Sequence, residues 1–215
     1  MTEWLASLRR EAAAARTLDE GDVHADPFEQ FHVWLGEAHQ AGIHQPNAMT
    51  LSTVDGSGWP DARTVLLKAL DDRGLVFYTH RTSAKGRQLQ ANPHAAVTFY
   101  WDVLERQVRV RGRVEQTTDA ESDEYFLSRP RLSQLSATVS NQSAVIGGRE
   151  ALDAALAALD ERTKGLGVER PRTWGGYRLL PSEFEFWQGR PNRLHDRVRY
   201  RLDPHHQWIR ERLAP

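Results

Sequence analysis

Two cationic side chains flank a strand-like segment and mark the first place where the sequence could bind an anion. Arg63 and Lys68 stand at either end of residues 64–67, whose β-branched and aliphatic side chains predict a buried strand. Turn-forming residues at 71–74 and a second apolar run at 75–79 predict that this strand belongs to a hairpin. The pattern places two positive charges beside that hairpin.

A third cation, Lys85, falls at the start of a predicted short helix. Ser83 is a suitable N-cap, and Pro93 predicts that the helix, residues 84–92, ends before it. Free backbone N–H groups and the positive end of the helix dipole favour a phosphate there, and a lysine adds to the attraction. We interpret this stretch as an anion site. The alternative is a solvated lysine on a surface hairpin.

The composition limits the classes of protein to which the chain can belong. Its 215 residues carry a net charge of −1 and include no cysteine, which excludes disulfides, thiolate nucleophiles and cysteine-ligated metals. A near-neutral charge gives no general attraction to nucleic acid or membranes. The nine histidines show no zinc-type spacing, and no apolar run matches a signal peptide or a membrane span. We expect a soluble cytoplasmic protein without a metal.

The order of the predicted elements indicates the fold class. Residues 1–25 are predicted to form a mobile helical segment, and residues 26–215 one domain that opens with a helix at Asp26. Short strands with hairpin turns follow, and the last group comprises separate strands at 174–180, 183–188, 194–202 and 207–213. Many short strands with peripheral helices predict an α+β fold built on an antiparallel barrel.

A polar stretch after the central strands is the second candidate site. It supplies hydroxyl, amide and guanidinium donors with few apolar residues between them. Its donors are Tyr125, Arg129, Arg131, Ser133, Ser136, Ser140, Asn141, Gln142 and Ser143. A loop of this composition is either disordered or organised around a ligand.

A third candidate lies near the C-terminus, where Arg193, His195 and Arg197 occupy alternate positions. On an extended strand these three side chains share one face. They repel one another unless an anionic or π-electron-rich group lies opposite, and Trp187 could cover a flat ring. A strand that faces solvent is the alternative.

Three further arginines alternate along one predicted strand at positions 109, 111 and 113. Such a row could bind nucleic acid, but no aromatic side chain interleaves with it for base stacking. We therefore interpret the row as the solvated face of a sheet.

Several blocks of sequence resemble the pyridoxamine 5′-phosphate oxidase family, in the family's order from about Asp26 to the C-terminus. The blocks are Arg63-Thr64-Val65-Leu66-Leu67-Lys68, Phe77-Tyr78-Thr79, Leu104-Glu105-Arg106-Gln107-Val108, Ser128-Arg129-Pro130-Arg131 with Ser133-Gln134, Glu185-Phe186-Trp187-Gln188-Gly189, Arg193-Leu194-His195-Asp196-Arg197 and Arg212-Leu213-Ala214-Pro215. The resemblance implies a split β-barrel that binds FMN, in a homodimer with both flavins at the subunit interface. It also implies oxidation of pyridoxamine or pyridoxine 5′-phosphate to pyridoxal 5′-phosphate, with O₂ reduced to H₂O₂.

The same resemblance implies a role for each matching residue. Arg193 and His195 are the implied catalytic residues: they lie against the substrate ring, and His195 could also accept a proton. The residues implied to hold the substrate phosphate are Lys68, Tyr125, Arg129 and Ser133. The implied cofactor-binding residues are Arg63, Thr64, Val65, Leu66, Leu67, Lys68, Tyr78, Thr79, Lys85, Gln107, Gln142, Ser143, Trp187 and Arg197.

The chain departs from the family pattern at two positions. Ala84 stands where an arginine normally precedes Lys85, and Arg81 and Arg87 are the candidates to replace that contact. At the N-terminus, Ala12 replaces the usual tyrosine of the family's lid segment. Both departures bear on FMN affinity and on closure over the substrate.

Arg63 and Lys68 also present a geometric question, because a regular strand points residues five positions apart to opposite faces. A bulge, or a site shared between subunits, would reconcile them. Two other functions stay open: a flavin oxidase acting on another substrate, as in phenazine biosynthesis, and a flavin- or pyridoxal-phosphate-binding module with little turnover. The presence of all four implied phosphate contacts favours the vitamin B6 reaction.

Overall fold

The computed structural model describes residues 16–215, which form five helices and one nine-stranded sheet. The helices are α1 (Pro27–Gln40), α2 (Ala84–Ala91), α3 (Asp119–Ser128), α4 (Arg131–Val139) and α5 (Arg149–Arg162). The strands are β1 (Ala48–Val54), β2 (Pro60–Leu66), β3 (Ala69–Asp71), β4 (Gly74–His80), β5 (His94–Trp101), β6 (Arg106–Gln116), β7 (Trp174–Gln188), β8 (Asp196–Leu202) and β9 (Trp208–Arg212). The lid-like segment around Ala12 lies outside the described residues, and the domain boundary predicted at residue 26 stays a prediction.

Helix α1 packs its apolar stripe against the sheet. Asp26 caps the helix by accepting a backbone hydrogen bond in the first turn, as predicted. Phe31 and Trp34 are buried one turn apart, and their rings contact Phe99 at 4.9 Å and Phe186 at 5.2 Å between centroids. These contacts close the main core, which the inward faces of most strands share.

The sheet is antiparallel throughout and is divided by its longest strand. Its main order is β2-β1-β5-β6-β7-β4-β3, with β8 added to β7 and β9 to β8. Strand β7 pairs with β6 along one edge, while its other edge pairs with β4 in the first half and with β8 in the second. This division splits the sheet into two curled parts, and the predicted antiparallel α+β fold is confirmed.

The prediction of two separate strands at 174–180 and 183–188 is wrong, because both belong to β7. Pro181 lies between the two predicted segments, and proline cannot donate a ladder hydrogen bond. The structure accommodates it by a shift of register between Arg111 and Gly112 of β6, where Gly112 pairs with Pro181. A Cβ atom on Gly112 would lie 1.9 Å from the carbonyl oxygen of Leu180. The backbones of β6 and β7 therefore lie closer together at Gly112 than any residue with a Cβ atom would allow.

No helix within residues 16–215 is long and apolar enough to cross a membrane. In the same part of the chain, no group of three or more acidic or histidine side chains is placed to hold a metal ion.

Gly112→Ala should destabilise the protein by roughly 1–3 kcal/mol, because the added methyl overlaps the β7 backbone. The matched control is Gly36→Ala, an exposed position inside α1 with nothing within 4 Å of the new Cβ. That change should stabilise the protein by roughly 0.5–1 kcal/mol, since alanine favours a helix. Urea midpoints at one protein concentration test both signs. Equal midpoints for Gly112→Ala and the parent would show that the close approach does not exist.

Candidate functional site

A cavity of about 460 Å³ opens where strands β2 and β4 meet helices α2 and α3. Its volume lies in the range of small-molecule sites. It brings together eleven of the predicted site residues and one other. The lining residues are Arg63, Thr64, Val65, Leu66, Lys68, Tyr78, Thr79, Lys85, Tyr125, Arg129, Gln142 and Trp174.

Lys85 enters the cavity from the first turn of α2, as predicted. Ser83 caps the helix, and its Oγ accepts the backbone N–H of Gly86 at 3.2 Å. Lys85 is buried and donates from Nζ to Gln142 Oε1 at 3.0 Å and to Thr79 Oγ1 at 3.3 Å. Burial lowers the pKa of Lys85, and the nearby positive charge of Arg63 lowers it further. The ammonium group thus donates only to neutral oxygens, and no bonded carboxylate compensates its positive charge.

Arg63 and Lys68 can both point into the cavity because strand β2 ends between them. Strand β2 stops at Leu66, and Lys68 lies in the break before β3, so strand alternation no longer relates the two side chains. Leu67 turns into the core, where its backbone N–H bonds the carbonyl of Asn47 at 2.9 Å. Both cations line the same cavity within one chain. Neither a bulge nor a second subunit is needed to bring these two together.

Three nearly parallel aromatic rings form one wall of the cavity. Tyr78 stacks on Tyr125 with ring centroids 4.0 Å apart, and on Trp174 at 5.3 Å. Trp174 was not predicted as a site residue, because an isolated tryptophan at the start of a strand indicates only packing. Its wall position depends on the pairing of His80 with Trp174, which joins β4 to β7.

Arg129 lies over this wall without a carboxylate partner. Its guanidinium carbon is 4.9 Å from the centroid of the Trp174 ring, a cation–π contact. Its Nη1 atom is buried and has no hydrogen-bond partner in residues 16–215, and burial lowers the pKa of Arg129. A buried donor without a partner is costly. The position fits a residue whose partner is a ligand.

The charge of the whole cavity is positive. Four cations line it, and none of its lining residues is acidic. Asp61 pairs with Arg63 but does not line the cavity. Within the described chain, Lys68, Lys85 and Arg129 have no carboxylate in ion-pair distance. This donor set fits a phosphorylated ligand, since ionised donors bind phosphate oxygens strongly.

A second group of predicted residues lies elsewhere, as a row across three strands. Gln107 of β6 pairs with Trp187 of β7, which pairs with Arg197 of β8. The His195 ring packs on Trp187, with centroids 4.8 Å apart. We call these four residues the outer row. None of them lines the cavity.

The prediction that Arg193, His195 and Arg197 share a strand face is wrong. Strand β8 begins at Asp196, and Arg193 is an exposed residue of a short 3₁₀ turn with φ of 60°. Two left-handed residues in succession, Asn192 and Arg193, leave the extended region, which sequence alternation cannot reveal. Only Arg197 lies on the strand.

The ring of His195 has a defined orientation. Its Nδ1 accepts the backbone N–H of Arg190 at 3.0 Å. Neutral His195 therefore carries its proton on Nε2, where it can donate a hydrogen bond. Because Nδ1 is occupied by this bond, Nε2 is the ring nitrogen left for a ligand. The hypothesis that His195 accepts a proton stays a prediction.

Two further predicted residues, Ser133 and Ser143, do not line the cavity. Ser143 Oγ accepts the backbone N–H of Ala84 at 3.2 Å, and Ser133 lies in the first turn of α4. Neither candidate replacement for an arginine at position 84 lines the cavity. Arg81 packs over Gly175, and exposed Arg87 donates to the carbonyl of Thr82.

The matches to family models cover most of the chain. A model described as pyridoxamine 5′-phosphate oxidase matches residues 35–162. A second, described as the pyridoxine 5′-phosphate oxidase C-terminal dimerisation region, matches residues 174–215. The cavity lies largely within the first match, whereas Trp187, His195 and Arg197 of the outer row lie within the second.

Curated relatives are similar over essentially their whole length. A protein of Gloeothece citriformis is 50% identical over 215 residues, covering 100% of both chains. One of Thermosynechococcus vestitus is 54% identical over 211 residues, covering 98% of this chain and 99% of the relative. Both are named pyridoxine/pyridoxamine 5′-phosphate oxidase.

Solved structures share the fold. PhzG of Burkholderia lata, in complex with tetrahydrophenazine-1-carboxylic acid, is 32% identical with a TM-score of 0.89, covering 95% of this chain and 100% of that one. An FMN-binding protein of Nostoc punctiforme related to pyridoxamine 5′-phosphate oxidase has a TM-score of 0.69 at 18% identity, covering 88% and 98%. The divided antiparallel sheet and the similar solved structures show an α+β split-barrel fold. The family models and the full-length relatives show that the chain belongs to the pyridoxamine 5′-phosphate oxidase family.

Proposed function

We propose that this protein is an FMN-dependent oxidase that converts pyridoxamine or pyridoxine 5′-phosphate to pyridoxal 5′-phosphate. The observation that carries the proposal is the cavity with four cations, no lining carboxylate and a wall of stacked rings. Such a cavity suits ligands that combine a flat ring with a phosphate. The names of the full-length relatives support the same reaction.

Two groups of cations suit two phosphates. Lys85 and Arg63 lie close enough for Arg63 to lower the pKa of Lys85, and with Thr79 and Gln142 they would hold the FMN phosphate. The positive end of the α2 helix dipole adds to that site. Ser143, next to Ala84, and Tyr78 in the aromatic wall would complete the contacts to the cofactor.

The second group lies beside α3 and would bind the substrate phosphate. Arg129, with its unpartnered Nη1, would donate to a phosphate oxygen, and Lys68 would add a second charge. Tyr125 is fixed by stacking on Tyr78, which orients its hydroxyl. Ser133 in the first turn of α4 would supply a further donor. These contacts would fix the substrate at the end remote from the reacting carbon.

FMN, when bound, supplies the two-electron oxidation and the reduction of O₂ to H₂O₂. The chain's own residues would bind FMN and the substrate and orient them relative to each other. Arg193 would orient the reacting group of the substrate, and His195 would donate from Nε2 while its Nδ1 stays bound to Arg190. Since FMN is the oxidant, the protein's contribution to rate is the positioning of the reacting carbon.

Assembly of two copies of the chain would bring the cavity and the outer row together. No residue of the outer row lines the cavity of its own chain, and the region containing most of the outer row matches a dimerisation region. We infer that the outer row of one copy completes the cavity of its partner. The homodimer would then hold its flavins at the subunit interface.

A related flavin oxidase acting on a phenazine precursor is the second candidate, favoured by the similarity to PhzG. The grouping of Lys68, Tyr125 and Arg129 in one cavity favours a phosphorylated substrate instead. The purified protein tests both. A yellow protein that produces H₂O₂ with pyridoxine 5′-phosphate is the proposed oxidase. A yellow protein inert to it acts on another substrate or only binds flavin.

Arg129→Ala should raise the KM for pyridoxine 5′-phosphate about 10- to 100-fold and leave the flavin spectrum unchanged. The reason is the loss of one charge-assisted hydrogen bond, worth roughly 1.5–3 kcal/mol. The matched control is Arg87→Ala, which removes an exposed arginine outside the cavity. Steady-state kinetics with absorbance of the bound flavin measure both effects. If Arg129→Ala loses FMN as strongly as it loses substrate affinity, the division between the two phosphate groups is incorrect.

Ala84→Arg should tighten FMN binding about 10- to 100-fold, because it restores a charged donor at the start of α2. Neither Arg81 nor Arg87 lines the cavity to fill that role. Titration of FMN-free protein followed by flavin fluorescence gives the Kd. An unchanged Kd would mean that another residue already supplies the contact.

Lys85→Met should weaken FMN binding but stabilise the FMN-free protein at neutral pH. Burial lowers the pKa of Lys85 in the fold, so the unfolded chain binds more protons between that lowered pKa and the ordinary lysine value. Stability of the FMN-free parent should therefore rise with pH across that range, and the variant should lack this rise. Urea midpoints from about pH 7 to about pH 10 measure it. A variant that is less stable than the parent at neutral pH would contradict the account.

A further inference from the structure

The outer face of strands β6, β7 and β8 carries a ladder of charged side chains beside the outer row. Side chains alternate along β7, so Phe184 and Phe186 enter the core while Glu183 and Glu185 face outward. Glu185 is directly opposite Arg109 of β6 and precedes Trp187 by two residues, so it lies on the same face as Trp187. These charged side chains therefore lie next to Trp187 and Arg197, the outer-row residues that we propose bind the flavin.

Glu185 is enclosed to an unusual degree for an outward carboxylate. It is 5% exposed and lies between two guanidinium groups. Its Oε2 accepts Arg109 Nη1 at 3.0 Å, and its Oε1 accepts Arg197 Nε at 2.8 Å, with Arg197 Nη2 also 2.8 Å away. Buried acidic side chains occur in proteins where they are paired in this way.

Arg197 is fixed on two sides by these bonds. Its Nε and Nη2 meet Glu185, and its Nη1 donates to the backbone carbonyl of Ala214 at 2.7 Å. Three of the five N–H donors of a guanidinium are thereby used, and the others remain for a ligand. An arginine held in this manner loses little rotamer freedom when it binds.

We propose that Glu185 is a positioning residue that sets Arg197 for flavin binding, through the buried contact it makes between Arg109 and Arg197. This inference rests on the proposed function, since it takes Arg197 to contact FMN. Glu185 itself does not touch the cofactor. Its contribution is to hold one orientation of the Arg197 side chain beside Trp187.

An opposing electrostatic effect must be separated from positioning. Neutralising Glu185 leaves the surface more positive, which by itself attracts the anionic cofactor. That attraction is screened by salt, whereas loss of a short-range anchor is not. Glu185→Gln should therefore release FMN faster than the parent, and the difference should grow as ionic strength rises.

The test uses purified holoprotein diluted below its Kd, with the rise of flavin fluorescence giving the rate of FMN release. Glu185→Gln should release FMN on the order of tenfold faster, as expected for loss of one charge-assisted bond. The matched control is Glu183→Gln, because Glu183 pairs with Arg111 and Arg199 but not with Arg197. The control should stay within about twofold of the parent.

A double-mutant cycle separates positioning from a general loss of structure. In an Arg197→Leu background, Glu185→Gln should add no further acceleration, because the residue it acts through is gone. Additive effects, or release from Glu185→Gln at the parent rate, would overturn the inference. A parent protein that never retains FMN would instead refute the proposed function, so the two failures are distinguishable.

Discussion

Cationic side chains held away from water without carboxylate partners are the constraint on which the rest of the structure depends. Lys85 is buried and bonded only to neutral oxygens, and a donor of Arg129 is buried without a partner. Burial disfavours their charged forms and lowers both pKa values. A fold that keeps them there is less stable than one with a paired or apolar cavity. An anionic ligand removes that cost, which links affinity for phosphate to instability of the empty protein.

The surrounding elements keep these cations in place by means that need no counter-charge. Ser83 caps α2 and thereby aims Lys85, while the Trp174 ring supports Arg129 through its face. Ser83 lies just after the end of β4, and Trp174 begins β7, so the pairing of β4 with the first half of β7 holds both residues in place. The second half of β7 carries Trp187 to the outer row. One strand thus contributes to both halves of the proposed site.

The local parts of this arrangement were predictable from sequence, and the non-local parts were not. Ser83, Lys85 and the helix that follows depend on neighbours in the chain, so capping and dipole rules locate them. Trp174 joins the cavity only through pairing with β4, and Arg193 leaves the strand through backbone angles that alternation does not encode. The continuity of β7 through Pro181 depends on its pairing with Gly112, which is far away in sequence. The residue blocks of the family supplied the site residues that spacing alone could not.

The central claim is that two copies of the chain share each oxidase site, and mixed dimers test it most directly. Arg129→Ala alters the cavity and Arg193→Leu alters the loop beside the outer row, so the two variants carry defects in different halves. When they are unfolded, mixed equally and refolded, roughly half of the dimers pair unlike subunits, and each such dimer has one site with neither defect. The account predicts about a quarter of the parent H₂O₂ production at a pyridoxine 5′-phosphate concentration that saturates the parent but not Arg129→Ala. Activity no higher than the mean of the two separately refolded variants would show that each site is built from a single chain.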